Sequence, residues 1–284
     1  MAQLGELMIP YPDFNIFGIE VSAYSLCSVV GMLICVAVFY YMARRRNMLK
    51  GDLVYMSLAA IVGMIIGAHI LFGITRLGNM IRQLQALSSN KTSSSFDTIT
   101  DIIMENWNGM VFYGGLIGAM VAIIVYTRKT KLPVLEHMDL YVPIFPLFHT
   151  FGRIGCFLAG CCYGIESDFG YAHTHSNGVV VNRFPVQLLE AGLNFLLFLV
   201  IFICFIKGIR KGRLLQIYLL VYPVIRFCDE FLRGDAIRGK FLIFSTSQWI
   251  SIILFIIAII WLIRPQWLRP IFYPRRKRPK TDRE

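Results

Sequence analysis

The chain has 284 residues, of which 56% are hydrophobic and only 16% charged, and its mean hydropathy of +0.62 lies above that of a water-soluble domain of this size. A formal net charge of +11 would suit nucleic acid, but 19 of the 28 Lys and Arg residues cluster at the ends of apolar stretches, where they set topology and meet anionic lipid headgroups. Composition therefore excludes an ordinary soluble enzyme, and no nucleic-acid partner is expected.

Seven apolar stretches, at 21–42, 53–74, 110–126, 140–161, 186–205, 214–231 and 248–263, predict an all-α polytopic membrane protein. Each is about the ~17–25 residues a helix needs to cross hydrocarbon. Segment 1–20 has no basic start and is interrupted by Pro10, Pro12 and Asp13, so the first span is the expected export signal rather than a cleaved leader. Arg44, Arg45, Arg46 and Lys50 follow the first span, Arg128, Lys129 and Lys131 the third, Lys207, Arg210, Lys211 and Arg213 the fifth, and eight more basic residues the seventh. All four clusters fall on one side, which by the cytoplasmic excess of Lys and Arg places the N-terminus outside and the C-terminus inside. The transmembrane domain is expected to cover 1–265, with external loops at about 76–108 and 163–185, and 266–284 forms a basic cytoplasmic tail. Within the first loop, a short interfacial helix around 80–87 and a plain loop are equally compatible with the sequence.

Polar groups at membrane depth face the bundle interior and mark a site, because hydrocarbon does not tolerate them. Here they are Tyr24, His69, Tyr113, His149, Arg153, Gln187, Glu190, Arg226, Asp229 and Glu230, most of them in the outer halves of their helices. An outward-facing polar cavity follows. Tyr222, Arg226 and Glu230 recur at intervals of four, on one helical face to which Arg233 returns a turn later. An i,i+4 ion pair of Arg226 with Glu230 is one sufficient reading of that face. The other starts from an expected excess of Arg153, Arg226 and Arg233 over neighbouring acids, which calls for a bound anion, and Arg suits a bidentate grip on phosphate. Gly114 and Gly115 open the third span, where bare backbone admits either a ligand or a second helix. The cysteines Cys156, Cys161 and Cys162 lie near the outer face, but their spacing matches no standard zinc pattern. No metal and no cofactor are expected.

Taken in order along the chain, these residues resemble the prolipoprotein diacylglyceryl transferase family. The resemblance rests on Tyr24, the Gly-Gly-Leu-Ile-Gly run from Gly114 to Gly118, Gly152-Arg153-Ile154-Gly155, and the stretch from Arg183 through Gln187 to Glu190. Beyond these come Tyr222 with Arg226, Glu230, Arg233 and Asp235, and Gln248 with Ser251. It implies seven transmembrane helices in a bacterial plasma membrane and a site facing outward. The implied reaction transfers a diacylglyceryl group from phosphatidylglycerol to the lipobox cysteine of a prolipoprotein, releasing glycerol phosphate. On this reading Arg153 holds the phosphate, Arg226 stabilises the leaving charge, Glu230 orients Arg226, and Tyr24, Tyr222, Gln187, Glu190, Gly114, Gly115 and Arg233 bind substrate. The chain is a divergent member: Tyr113 stands where the family has a histidine, and Cys156, Ala159 and Cys161 replace Asn, Asn and Glu. Two other readings stay open, a paralogue with a different acceptor and a non-catalytic phospholipid-binding membrane protein.

Overall fold

The computed structural model describes residues 13–16, 19–48, 51–89, 96–174, 179–234, 240–241 and 243–266. His175, Asp235 and the basic tail beyond Gln266 lie outside the described residues. The described chain is mostly helical and divides into two compact units, one drawn from Met1–Asn47 and Leu135–Pro270, the other from Met48–Val134. Among the described residues, four helices are long and apolar enough to cross a membrane by length and composition.

The smaller unit contains α2 (Gly51–Ser89), α3 (Phe96–Trp107) and α4 (Phe112–Lys129). Much of the connection at 76–108 is helical: the helical alternative for 80–87 holds, as part of an α2 that has no proline to stop it and continues for 39 residues. The seam between α2 and α4 is built on glycine. A Cβ on Gly67 would strike the Gly114 carbonyl, one on Gly118 would strike the Gly63 carbonyl, and one on Gly115 would come within 3.1 Å of Met64. Small residues let the two backbones approach closely enough for dispersion contacts to hold them, which matters where lipid removes the hydrophobic drive between helices. Of the two readings open for Gly114 and Gly115, approach of a ligand or of a second helix, the contact with α2 shows the second. Tyr113 sits in the first turn of α4 in this unit.

The larger unit holds α1 (Ala23–Arg45), α5 (Val134–Tyr141), α6 (Ile144–Leu158), α7 (Val186–Lys207), α8 (Leu214–Asp229) and α9 (Thr246–Ile263). Helix α1 packs on α6, α6 on α7, α7 on α8, and α8 on α9. The stretch read as one span at 140–161 is broken at Val142 and Pro143 into α5 and α6, since proline restricts the residue before it and lacks an N–H to continue the ladder. Gly31 lets α1 close on α6: its Cβ would lie 2.5 Å from that of Phe151. Three antiparallel hairpins complete the unit, pairing β1 (Asp13–Ile16) with β2 (Ile19–Ser22), β3 (Glu166–Thr174) with β4 (Val180–Arg183), and β5 (Lys240–Phe241) with β6 (Phe244–Ser245). The connection 163–185, expected as an irregular loop, thus carries a hairpin, whose β3 buries Tyr171, Ala172 and His173. No alternating hydrophobic pattern announces it.

Asp139, on α5, ties α5 to the start of α8. Fully buried, it accepts hydrogen bonds from the backbone N–H groups of Gly212 at 2.5 Å and Leu214 at 3.1 Å, fixing the turn that starts α8. Burial pushes its carboxyl up to about 6, against the pull of those two donors.

Candidate active site

Glu190, on the first turns of α7 and 1% exposed, is where the polar residues of the larger unit converge. Its Oε2 lies 2.9 Å from Arg153 Nε and 4.0 Å from an amino nitrogen of Arg233, and its Oε1 lies 3.0 Å from His149 Nε2. His149 and Arg153 are one turn apart on α6, so helical spacing presents both to the same carboxylate. Arg153 Nε also approaches His149 Nε2 at 3.2 Å. A single Nε2 cannot both donate to Glu190 and accept from Arg153, so which contact it makes follows the imidazole tautomer. The Arg153 Nε–H is directed at His149 Nε2, and Glu190 Oε2 meets the guanidinium as an ion pair rather than as a hydrogen-bond acceptor. Three groups sharing one buried acid suit the low dielectric around it, where an unpaired carboxylate would be costly.

Glu190 Oε2 meets Arg153 at Nε, and the arginine side chain is 12% exposed. The buried acid thus holds the stem of a guanidinium that keeps some access to the surface.

Arg226 and Glu230, at the end of α8, form the second pair at 2.7 Å, and Arg226 also donates to Ser247 Oγ at 3.1 Å. Both side chains are under 8% exposed. The i,i+4 pair read from the sequence is therefore present. Three arginines share two ion-paired acids, Arg153 and Arg233 on Glu190 and Arg226 on Glu230. Asp229 is 2% exposed, and among the described residues its Oδ2 has no hydrogen-bond partner.

The remaining expected residues fall in both units. Tyr222 is buried, stacked on Tyr218 with ring centroids 5.1 Å apart and set 5.7 Å from the His149 ring, so it walls the imidazole. Gln187 is fully buried and donates to the Cys161 carbonyl at 2.9 Å and to Tyr171 Oη at 3.2 Å, which ties the end of α6 to α7 and β3. Tyr24 is half exposed and leans on α6 at Gly155. Arg233 follows a 3-10 turn at Glu230–Leu232, held by backbone bonds from Ile165 N–H to the Leu232 carbonyl and from Gly234 N–H to the Tyr163 carbonyl. Tyr113, Gly114 and Gly115 belong to the smaller unit. His149 is the residue whose role was missed. Its signal was the four-residue spacing to Arg153.

These features define a helical membrane protein with an ion-paired arginine site. The family profile described as prolipoprotein diacylglyceryl transferase matches residues 13–264. This chain belongs to the prolipoprotein diacylglyceryl transferase family. It is 39% identical over 163 residues to the phosphatidylglycerol–prolipoprotein diacylglyceryl transferase of Clostridium tetani, a match covering 56% of this chain and 65% of that protein. It is 39% identical over 165 residues to transferase 2 of the same description from Clostridium perfringens, covering 55% and 62%. With the Finegoldia magna protein of that description, identity is 28% over 249 residues, covering 87% and 92%. The chain therefore spans less than two thirds of the length of the first two relatives in these matches.

Proposed function

We propose that this chain transfers a diacylglyceryl group from phosphatidylglycerol to the lipobox cysteine of prolipoproteins. It would do so in a bacterial plasma membrane that it crosses seven times, with its N-terminus and its site on the outer side. The observation that carries the reading is the Arg153–Glu190 contact, in which a buried acid sits 2.9 Å from Nε of an arginine whose side chain is 12% exposed, so that a guanidinium suited to a phosphodiester is held in place. Family membership and the curated names of its relatives support the choice of lipid and acceptor. The alternating Lys and Arg clusters support the orientation.

The acceptor thiolate attacks the glyceryl carbon that bears the phosphate oxygen. A carbon–sulfur bond forms, the carbon–oxygen bond breaks, and the electron pair leaves on glycerol phosphate. Arg153 grips the phosphate, and Arg226, held by Glu230 and Ser247, stabilises charge on the departing oxygen. Glu190 and His149 act through Arg153 as positioning residues. Incubation of the purified full-length chain with phosphatidylglycerol and a lipobox peptide tests the reading: a peptide heavier by one diacylglyceryl group is expected, and an unmodified peptide, with phosphatidylglycerol bound but unconsumed, would leave a lipid-binding protein.

A further inference from the structure

We infer that Cys156, Cys161 and Cys162 form a three-thiolate site for a divalent cation of zinc's chemistry, whose fourth position receives the acceptor thiol. The inference rests on the proposed transfer for the identity of that thiol, and on the cysteine geometry alone for the metal.

The sequence spacing gave no reason to expect a metal here, and the fold supplies one. Helix α6 ends at Leu158, and the chain turns back through Gly160 at φ 63°. The Cys161 N–H bonds to the Cys156 carbonyl at 3.1 Å and the Gly160 N–H to the Phe157 carbonyl at 3.2 Å, the paired bonds of a helix closed by a left-handed residue. Cys162, itself at φ 59°, completes the reversal. The three Sγ atoms then lie within 4.8 Å of one another. Three sulfurs around a tetrahedral zinc at Zn–S of about 2.3 Å stand roughly 3.8 Å apart, so small side-chain rotations close the set. Gln187 fixes the turn from α7 through the Cys161 carbonyl.

No fourth Cys, His, Asp or Glu among the described residues joins the group, and Cys161 is exposed while its two neighbours are half-buried. Three protein ligands and one open position are the arrangement of reactive zinc centres, whereas structural sites are closed with four. Three thiolates on a divalent cation carry one negative charge, and Arg153 and Arg233 both act on Cys162 electrostatically. Arg153 is also one turn before Cys156 on α6, which sets the proposed phosphate grip beside the proposed thiol seat. An incoming thiol that binds the cation gives its proton to water and stays as a thiolate, the form that attacks carbon. The cation remains divalent throughout.

The test uses the reduced, metal-stripped full-length chain in detergent and Co2+ as the probe. One Co2+ per chain is expected, with thiolate-to-metal charge-transfer absorption and the visible bands of tetrahedral cobalt, displaced by Zn2+. Cys156→Ser, Cys161→Ser and Cys162→Ser should each weaken binding at least tenfold, and a lipobox peptide should shift the visible bands where its Cys→Ser counterpart does not. Absence of a stoichiometric cobalt spectrum, an unchanged spectrum in the triple serine variant, or a disulfide between two of these cysteines in the untreated protein overturns the site. A spectrum that the peptide thiol does not shift overturns the seat for the acceptor. Transfer that continues undiminished in chelator-treated wild type overturns the metal's role and leaves the proposed function standing. A peptide-responsive cobalt site in a protein that transfers nothing does the reverse.

Discussion

Arg153 and Glu190 face each other across α6 and α7 with 2.9 Å between Nε and Oε2, and the acid is 1% exposed. Charge neutralisation alone would be served by any contact. This one is made at Nε and fixes the stem of a side chain that is 12% exposed. Arg153→Ala should therefore reduce transfer by about 2–5 kcal/mol of transition-state stabilisation, with normal membrane levels. Arg153→Lys should rescue poorly, since an ammonium cannot be held at one edge and bind at the other. Rates for the two variants, normalised to membrane content, check this.

Glu190→Gln should be worse for folding than for any single contact. Removing one partner of a buried charge cluster costs about 3–5 kcal/mol, because Arg153 and Arg233 are left without their shared acid. Glu230→Gln leaves Arg226 its Ser247 bond and should cost less. Thermal stability of the two variants in detergent should rank them in that order, and the reverse order would mean that α8 rather than α7 anchors the site.

The seam between α2 and α4 gives a stability test independent of chemistry. Gly118→Leu must displace backbone at the Gly63 carbonyl and should destabilise the protein by about 1–3 kcal/mol or more. Gly51→Ala adds a Cβ that meets nothing within 4 Å and should be near neutral. Equal melting temperatures for both would show that the two helices do not depend on close backbone contact.

Asp139 sets a pH dependence with a defined sign. Its folded pKa, about 6, lies above the unfolded value near 4, so its contribution to stability is fully present below pH 4 and lost as pH rises through 6. The stability difference between wild type and Asp139→Asn should fall between pH 4 and pH 6 and be flat above. A difference that grows with pH would mean that the Gly212 and Leu214 donors outweigh burial.

Tyr113 stands at the position where the resemblance leads one to expect a histidine, and its variants separate chemistry from packing. Loss of transfer in Tyr113→Phe with activity kept in Tyr113→His would make the hydroxyl a proton-handling group. Near-normal transfer in Tyr113→Phe, Tyr113→His and Tyr113→Ala would make it packing, and another group would then have to accept the thiol proton.

The mostly helical fold was legible because apolar runs leave few alternatives in lipid, but the length of α2 and the break at Pro143 were not, and Arg226 with Glu230 was legible because both lie on one helical face. The Glu190 cluster was only half legible. Arg153, Glu190 and Arg233 were each suspect as charges at membrane depth, but their meeting depends on α6, α7 and the turn after α8, which no local spacing encodes. His149 was overlooked as a member although its spacing to Arg153 was in plain view. The hairpin of β3 and β4 could not be read, because its register shifts between Glu166 and Tyr171 and spoils the alternation a strand would show. The convergence of Cys156 with Cys161 and Cys162 was hidden for a related reason: it comes from a helix end that reverses the chain, not from a ligand spacing.

The central claim is that the Arg153 site performs diacylglyceryl transfer to prolipoproteins. Its most direct measurement is rescue of bacterial cells depleted of their own transferase, comparing the wild-type chain with Arg153→Ala at equal membrane levels. Growth and lipid-modified prolipoprotein with the wild type, and neither with Arg153→Ala, is the predicted result. Failure of the wild type to modify prolipoprotein, or equal modification by Arg153→Ala, would contradict the account.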